Sequence, residues 1–215
     1  MLWPVEQGLI DTFARPGHNV TGIASYTGIE VTNKRLEFLR EIVPAAKRLS
    51  WIWPSASLSL ETVAGGRVNM VPVIEAAAKK LGFESKFHPI RGVQNLESVF
   101  SDIAAWHAQA IIGTSNVAPQ EFAELALRHL LPSAFLDREN VMARGLLYGV
   151  ADSEWTSLLG RRAEYVDRVL RGARPADLPV ERPSRYELVI NRKTATALDL
   201  TIPQSLLLRA DEVIR

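Results

Sequence analysis

Between residues 48 and 170 the chain alternates short apolar runs with amphipathic stretches, and this alternation limits the folds open to it more than any other feature. The strand-length stretches lie at 48–53, 83–89, 110–113, 132–136 and 146–149. Helical periodicity fills the intervals: from about Asn69 to Leu81, at 95–107, at 119–130 and at 153–170. Leu96, Val99, Phe100 and Ile103 share one face of the second of these helices. Repeated strand–helix units of this length predict an α/β fold, a parallel sheet with helices on both faces. Right-handed crossovers make such a sheet doubly wound.

The flanks carry fewer regular elements. Val5, Leu9 and Phe13 have helical spacing, and Arg15-Pro16-Gly17 is a stop; residues 20–23 read as a short strand. Gly22 and Gly28, with Ser25 and Thr27, mark a break between regular elements. A clear amphipathic helix follows at 34–43, with Leu36, Leu39, Ile42 and Val43 on one face and Pro44 closing it. Gly65-Gly66 disfavours helix. Near the C-terminus Pro175, Pro179 and Pro183 predict extended chain over 171–184. A strand follows at 186–191, then a short helix at 192–198, and Thr201-Ile202-Pro203 opens another turn. Leaving a helix, crossing, adding one strand and closing with short helices is the pattern of a strap joining two bodies.

Composition removes several classes of function. With 215 residues, 47% hydrophobic and 23% charged, there is ample material for a core. The net charge of +1 comes from interspersed signs, which argues against nucleic acid as a partner; Arg161-Arg162 and Lys79-Lys80 read as solvated helix faces. No cysteine is present, so neither disulfides nor thiolate metal sites can form. No run approaches the roughly 18 apolar residues of a membrane span. His18, His88, His107 and His129 lack metal-ligand spacing. Gly65-Gly66-Arg67 is not a phosphate loop, and no G-x-S-x-G elbow presents a nucleophile. Neither a cofactor nor an enzymatic reaction is expected.

In an open parallel sheet, ligands bind beyond the carboxyl ends of the strands. That rule selects four turns: Pro54-Ser55-Ala56-Ser57, Ile90-Arg91-Gly92, Thr114-Ser115-Asn116 and Asp137-Arg138. Helix N-termini and hydroxyls in such turns can hold an anionic group, and an acidic side chain a cationic one. Ser55, Ser57, Thr114 and Ser115 suit the first role, Asp137 suits the second, and Asn116 suits either. Ser57 and Ser59 also suit a helix cap, and Asn116 an Asx turn. Trp51 and Trp53 on their strand, and Trp106 on its helix, read as core.

Two long motifs extend this reading. The string PADLPVE, followed by ELVIN-x-KTA-x-AL-x-LTIP-x-SLLLRADEVI, closely resembles the C-terminus of the bacterial ABC-transporter substrate-binding proteins, in particular binders of tryptophan and other aromatic amino acids. The second lies in Phe13-Ala14-Arg15-Pro16-Gly17-His18-Asn19-Val20-Thr21-Gly22 and then in KRLEFLREIVP, from Lys34 to Pro44. Residues 48–54, 76–81 and 165–172 also fit, in the right order, so the resemblance covers nearly the whole chain. Many relatives carry Asn-Pro where this chain has Trp53-Pro54-Ser55.

The resemblance implies a type I periplasmic-binding fold of two lobes and a solute-binding component of an ABC import system. It implies an amino-acid-like ligand held by hinge closure, and ABC permease subunits as partners. It also implies an extracytoplasmic place, although Met1-Leu2-Trp3-Pro4 is not a signal peptide. Because the match begins inside the family pattern, the chain reads as N-terminally truncated. Residues 1–32 are then the remnant of the first lobe and hinge, 33–145 a complete second lobe, and 146–215 the return crossing, C-terminal helix and strap. Self-association to cover the exposed edge is expected. An effector-binding regulatory domain of the same fold and a sugar- or nucleotide-processing α/β enzyme are the alternatives.

Overall fold

A computed structural model describes residues 4–24, 29–54, 59–113, 119–135, 141–142, 145, 147–149, 155–182 and 187–215. The chain divides into two compact units. One comprises Met1–Gly28, Ser59–Asn69 and Asp152–Tyr186; the other comprises Ile29–Leu58, Met70–Ala151 and Glu187–Arg215.

The larger unit is built on a seven-stranded sheet. Its strands are β1 (Arg48–Pro54), β4 (Glu84–Ile90), β5 (Ala110–Gly113), β6 (Ser133–Phe135), β7 (Leu147–Gly149), β8 (Leu188–Asn191) and β9 (Glu212–Ile214), in the spatial order β4-β1-β5-β6-β7-β8-β9. The first five are mutually parallel, β8 runs antiparallel to β7, and β9 is parallel to β8. Four longer helices cover the sheet: α1 (Ile29–Ile42), α2 (Val71–Lys80), α3 (Leu96–Ala105) and α4 (Pro119–Arg128). On one face α1 lies beside α2, and α1 packs on β6 and β7; on the other, α3 lies beside α4. The expected doubly wound sheet is therefore what forms.

Side-chain alternation along β1 feeds both layers. Ile52 joins Ile111, Phe135, Phe100 and Phe122 under α3 and α4, whereas Leu49, Trp51 and Trp53 point to the other face. Phe122 stands edge-on to both Phe100 and Phe135, with ring centroids 5.4 and 5.3 Å apart, the arrangement that aromatic quadrupoles favour. At the amino end of the sheet Arg40 secures α1. Its guanidinium donates to the carbonyls of Leu81 (3.0 Å), Pro44 (2.8 Å) and Ala46 (2.6 Å), and it lies 3.6 Å from the Phe83 ring centroid.

The C-terminal segment differs from the expected strap. All of Leu188, Val189, Ile190 and Asn191 are buried, which requires β8 to lie inside a sheet with a neighbour on each side. Two short helices, α6 (Arg192–Ala197) and α7 (Gln204–Leu207), then lead to β9, a strand too short to register in the sequence. The Asn191 side chain caps α6 by accepting from the Thr194 amide (3.2 Å) and donates to the Val141 carbonyl (2.9 Å). Arg209 donates to the Glu41 carboxylate at 2.6 Å and lies 5.3 Å from the Phe38 ring centroid. The division expected within 146–215 thus falls elsewhere: residues 187–215 belong with the middle of the chain.

The smaller unit holds a helix, α5 (Trp155–Leu170), and an antiparallel hairpin of β2 (Ser59–Glu61) and β3 (Arg67–Asn69). The hairpin was not expected, and it removes 59–69 from the lobe assigned to 33–145. Residues 5–13 form turns instead of the expected helix. Gly8 sits at φ 71°, a left-handed conformation that ends helical propagation, and the Leu9 and Ile10 amides both return to the Pro4 carbonyl. In place of a strand at 20–23 there is a single parallel bridge, Ile23 to Glu181. Around it Val180 donates to the Phe13 carbonyl (2.7 Å), Glu181 to Gly22 (2.9 Å) and Ala24 to Glu181 (2.8 Å). Ile10, Ala24 and Val180 form the small core beneath. Tyr165 of α5 closes this unit by donating its hydroxyl to the Pro179 carbonyl at 2.7 Å.

Candidate functional site

The strand order fixes where a ligand can sit in the larger unit. Chain order runs outward from β1 in both directions: β4 lies on one side, and β5, β6 and β7 follow on the other. Connections from β1 and β5 therefore leave on opposite faces, which makes their carboxyl ends a topological switch point, the place where open α/β sheets hold ligands in a crevice. Ile52 is in register with Gly113, and Gly113 with Phe135, so the ends of β1, β5 and β6 stand side by side.

These ends feed three of the four turns expected from the sequence. Ser55 and Ser57 follow β1, Thr114, Ser115 and Asn116 follow β5, and Asp137 follows β6; all six lie outside the described residues. The strands that lead into them are described, and they converge. Ser59 opens strand β2, so the helix-cap reading of that serine is corrected: the chain leaving β1 enters a hairpin before it reaches α2.

Gly113 is the residue that lets β5 end where it does. A Cβ built there would lie 2.9 Å from Phe122 Cζ and 3.2 Å from the Ile52 carbonyl oxygen. Phe122 in the first turns of α4 thus presses on the last residue of β5. A glycine lets the two approach so closely.

The fourth turn, Ile90-Arg91-Gly92, is described and lies apart from the switch point, because β4 is the edge strand. Asn95 Oδ1 accepts from the amides of both Arg91 (3.1 Å) and Gly92 (3.2 Å). Those donors are occupied within the chain, and Arg91 is exposed.

One residue of the carboxyl end escaped the sequence reading. Arg35 of α1 is fully buried, donates to Thr32 Oγ1 at 3.3 Å and places its guanidinium 5.7 Å from the Trp53 ring centroid. Helix α1 runs down to the short turn that enters β1, and Arg40 lies at the amino end of the sheet, so Arg35 stands nearer the carboxyl end. Its spacing from Leu39 and Ile42, four and seven residues on, was the signal: that spacing belongs to the buried stripe. Trp51 and Trp53 are buried as expected, at 2% and 7% exposure.

Among the described residues no group of three or more His, Asp or Glu side chains is gathered to hold a metal. His88 is buried on β4, and burial lowers its pKa from the usual 6.5; the charge of Lys86 acts in the same direction and Asp102 opposes both. Its ring lies 6.3 Å from that of Trp106. It belongs to the packing between β4 and α3.

Solved structures share this architecture. An ABC domain from Streptococcus pneumonia in complex with L-Trp superposes with a TM-score of 0.78 at 24% identity, covering 98% of this chain and 70% of its own. A conserved domain protein from Vibrio cholerae gives 0.78 at 22% identity, covering 98% and 68%. Among curated proteins, the tyrosine-binding protein of Clostridioides difficile is 25% identical over 201 residues. That match takes in 92% of this chain and 54% of the relative, so the chain spans about half the relative's length. The fold is that of the periplasmic-binding proteins. No described helix is long and apolar enough to cross a membrane. The family model for ABC transporter substrate binding proteins matches residues 2–214, nearly the whole sequence, and the chain belongs to that family.

Proposed function

We propose that this chain is the solute-binding component of an ABC import system and binds an amino acid, with aromatic amino acids the first to test. The observation that carries the reading is the topological switch point between β1 and β5, in a chain whose family binds transport substrates. Ser55, Ser57, Thr114 and Ser115 donate to the ligand carboxylate, helped by the amides at the start of α4; Asp137 receives the ammonium, and Asn116 bridges. No bond is made or broken. Ligand contacts made only in a closed form of the two-lobed protein shift the hinge equilibrium toward closure. The partner of the closed form is an ABC permease, and the place of action is extracytoplasmic. The L-Trp complex and the tyrosine-binding relative support the choice of ligand class.

Titration calorimetry with tryptophan, tyrosine and a panel of other amino acids tests this. Saturable binding is expected, weakened about tenfold or more by Ser115→Ala, which removes a hydrogen bond to a charged group, or by Asp137→Asn, which removes the negative charge facing the ammonium. Silence across the whole panel rejects the reading.

A further inference from the structure

The buried cation on α1 stands toward the carboxyl end of the sheet. Arg35 is permanently charged, and burying a guanidinium costs several kcal/mol before compensation. A leucine at this place in the stripe would bury apolar surface without that cost. The neighbours are informative. Thr32, fully buried one turn earlier, receives Arg35's NH2, while Trp53 lies alongside the guanidinium with its ring centroid 5.7 Å away. Trp53 is also the last buried side chain of β1 before the crevice.

A planar guanidinium beside an indole, held at its other side by a hydroxyl on its own helix, is a clamp with a fixed geometry. It joins the first half of α1 to the carboxyl end of β1. Lower on the same face of β1 the buried side chains, Leu49 and Trp51, are apolar.

We propose that Arg35 is a positioning residue for the ligand-binding end of the larger unit: it fixes Trp53, and through Trp53 the end of β1 that forms one wall of the crevice. This rests on the amino-acid-binding reading for its purpose, but the geometry can be tested without ligand. In Arg35→Met, amide exchange at Ile52 and Trp53 should rise about tenfold while Leu49 and Ser50 at the other end of the strand keep their protection, since local openings need not be global. The near-ultraviolet signal of Trp53, taken as the difference between the wild type and Trp53→Phe, should collapse. Arg35→Lys, which keeps the charge and loses the planar face, should fall between the two and serves if Arg35→Met does not fold.

Affinity for tryptophan or tyrosine, measured well below each variant's melting temperature, should drop about tenfold with Arg35→Met. Exchange that rises uniformly along β1, or an unchanged Trp53 signal, makes Arg35 an ordinary core residue and overturns the proposal. So does unchanged affinity in the variant when the wild type binds. A wild type that binds neither amino acid rejects the binding reading, and the exchange pattern still decides the clamp.

Discussion

Two single positions show how the fold constrains its residues. Gly113 has no room for a side chain: alanine there puts a methyl group against Phe122 and the Ile52 carbonyl. Gly113→Ala should cost about 1–3 kcal/mol, the usual range for overpacking, read as a lowered denaturation midpoint at unchanged slope. His88 is held neutral by burial, so protonating it opposes folding. Its folded pKa lies below the unfolded 6.5, which means the unfolded chain binds more protons just under that pH. The stability it contributes is present above 6.5 and lost as pH falls through the folded value. Melting temperature should therefore decline on acidification below 6.5, and His88→Phe should flatten that decline.

Among elements, the contacts that matter join stretches distant in sequence. Arg40 ties the end of α1 to three carbonyls, two in the turn entering β1 and one in the turn before β4. Arg40→Ala leaves those carbonyls without their charged donor and should cost about 2–3 kcal/mol in a denaturant titration, while Arg40→Lys recovers only part. In the smaller unit Tyr165 holds residues 178–181 against α5. Burial first, and the Glu181 carboxylate second, push the tyrosine pKa up to about 12 from 10.0. Between those values the folded chain keeps a proton that the unfolded chain has released, so stability falls as pH rises through that window. Tyr165→Phe should remove this alkaline slope, and phenolate absorbance should show one tyrosine titrating late.

For the molecule as a whole, both units are closed by the motifs that carried the resemblance. In the larger, Glu41 from KRLEFLREIVP meets Arg209 from SLLLRADEVI; in the smaller, 20–24 meets 178–181 from PADLPVE. Helix α5 of the smaller unit buries Tyr165 but leaves Val166 and Leu170 58% and 82% exposed. Apolar helix surface of that kind drives association. Sedimentation equilibrium should show mass rising with concentration, and the paired change Val166→Glu and Leu170→Glu should restore the monomer. A monomer at every concentration in the wild type would contradict this.

The sequence by itself determined the parallel α/β core, because strand and helix periods are local properties written every few residues: 48–54, 84–90, 110–113 and the helices between them follow their apolar spacing closely. It also pointed to the family through its terminal motifs. Tertiary structure alone decided that β8 and β9 join the same sheet as β1, since Ile190 finds Leu147 on one side and Val213 on the other across intervening helices and turns, and no local pattern specifies those pairings. It likewise decided that residues 5–13 are turns, where Gly8's backbone angle overrode an apolar period, and that 59–69 is a hairpin. The crevice followed from strand order, which no single stretch of sequence contains. Arg35 was hidden for a related reason: a charged residue on an apolar stripe reads as solvent-facing until the indole that accompanies it is seen beside it.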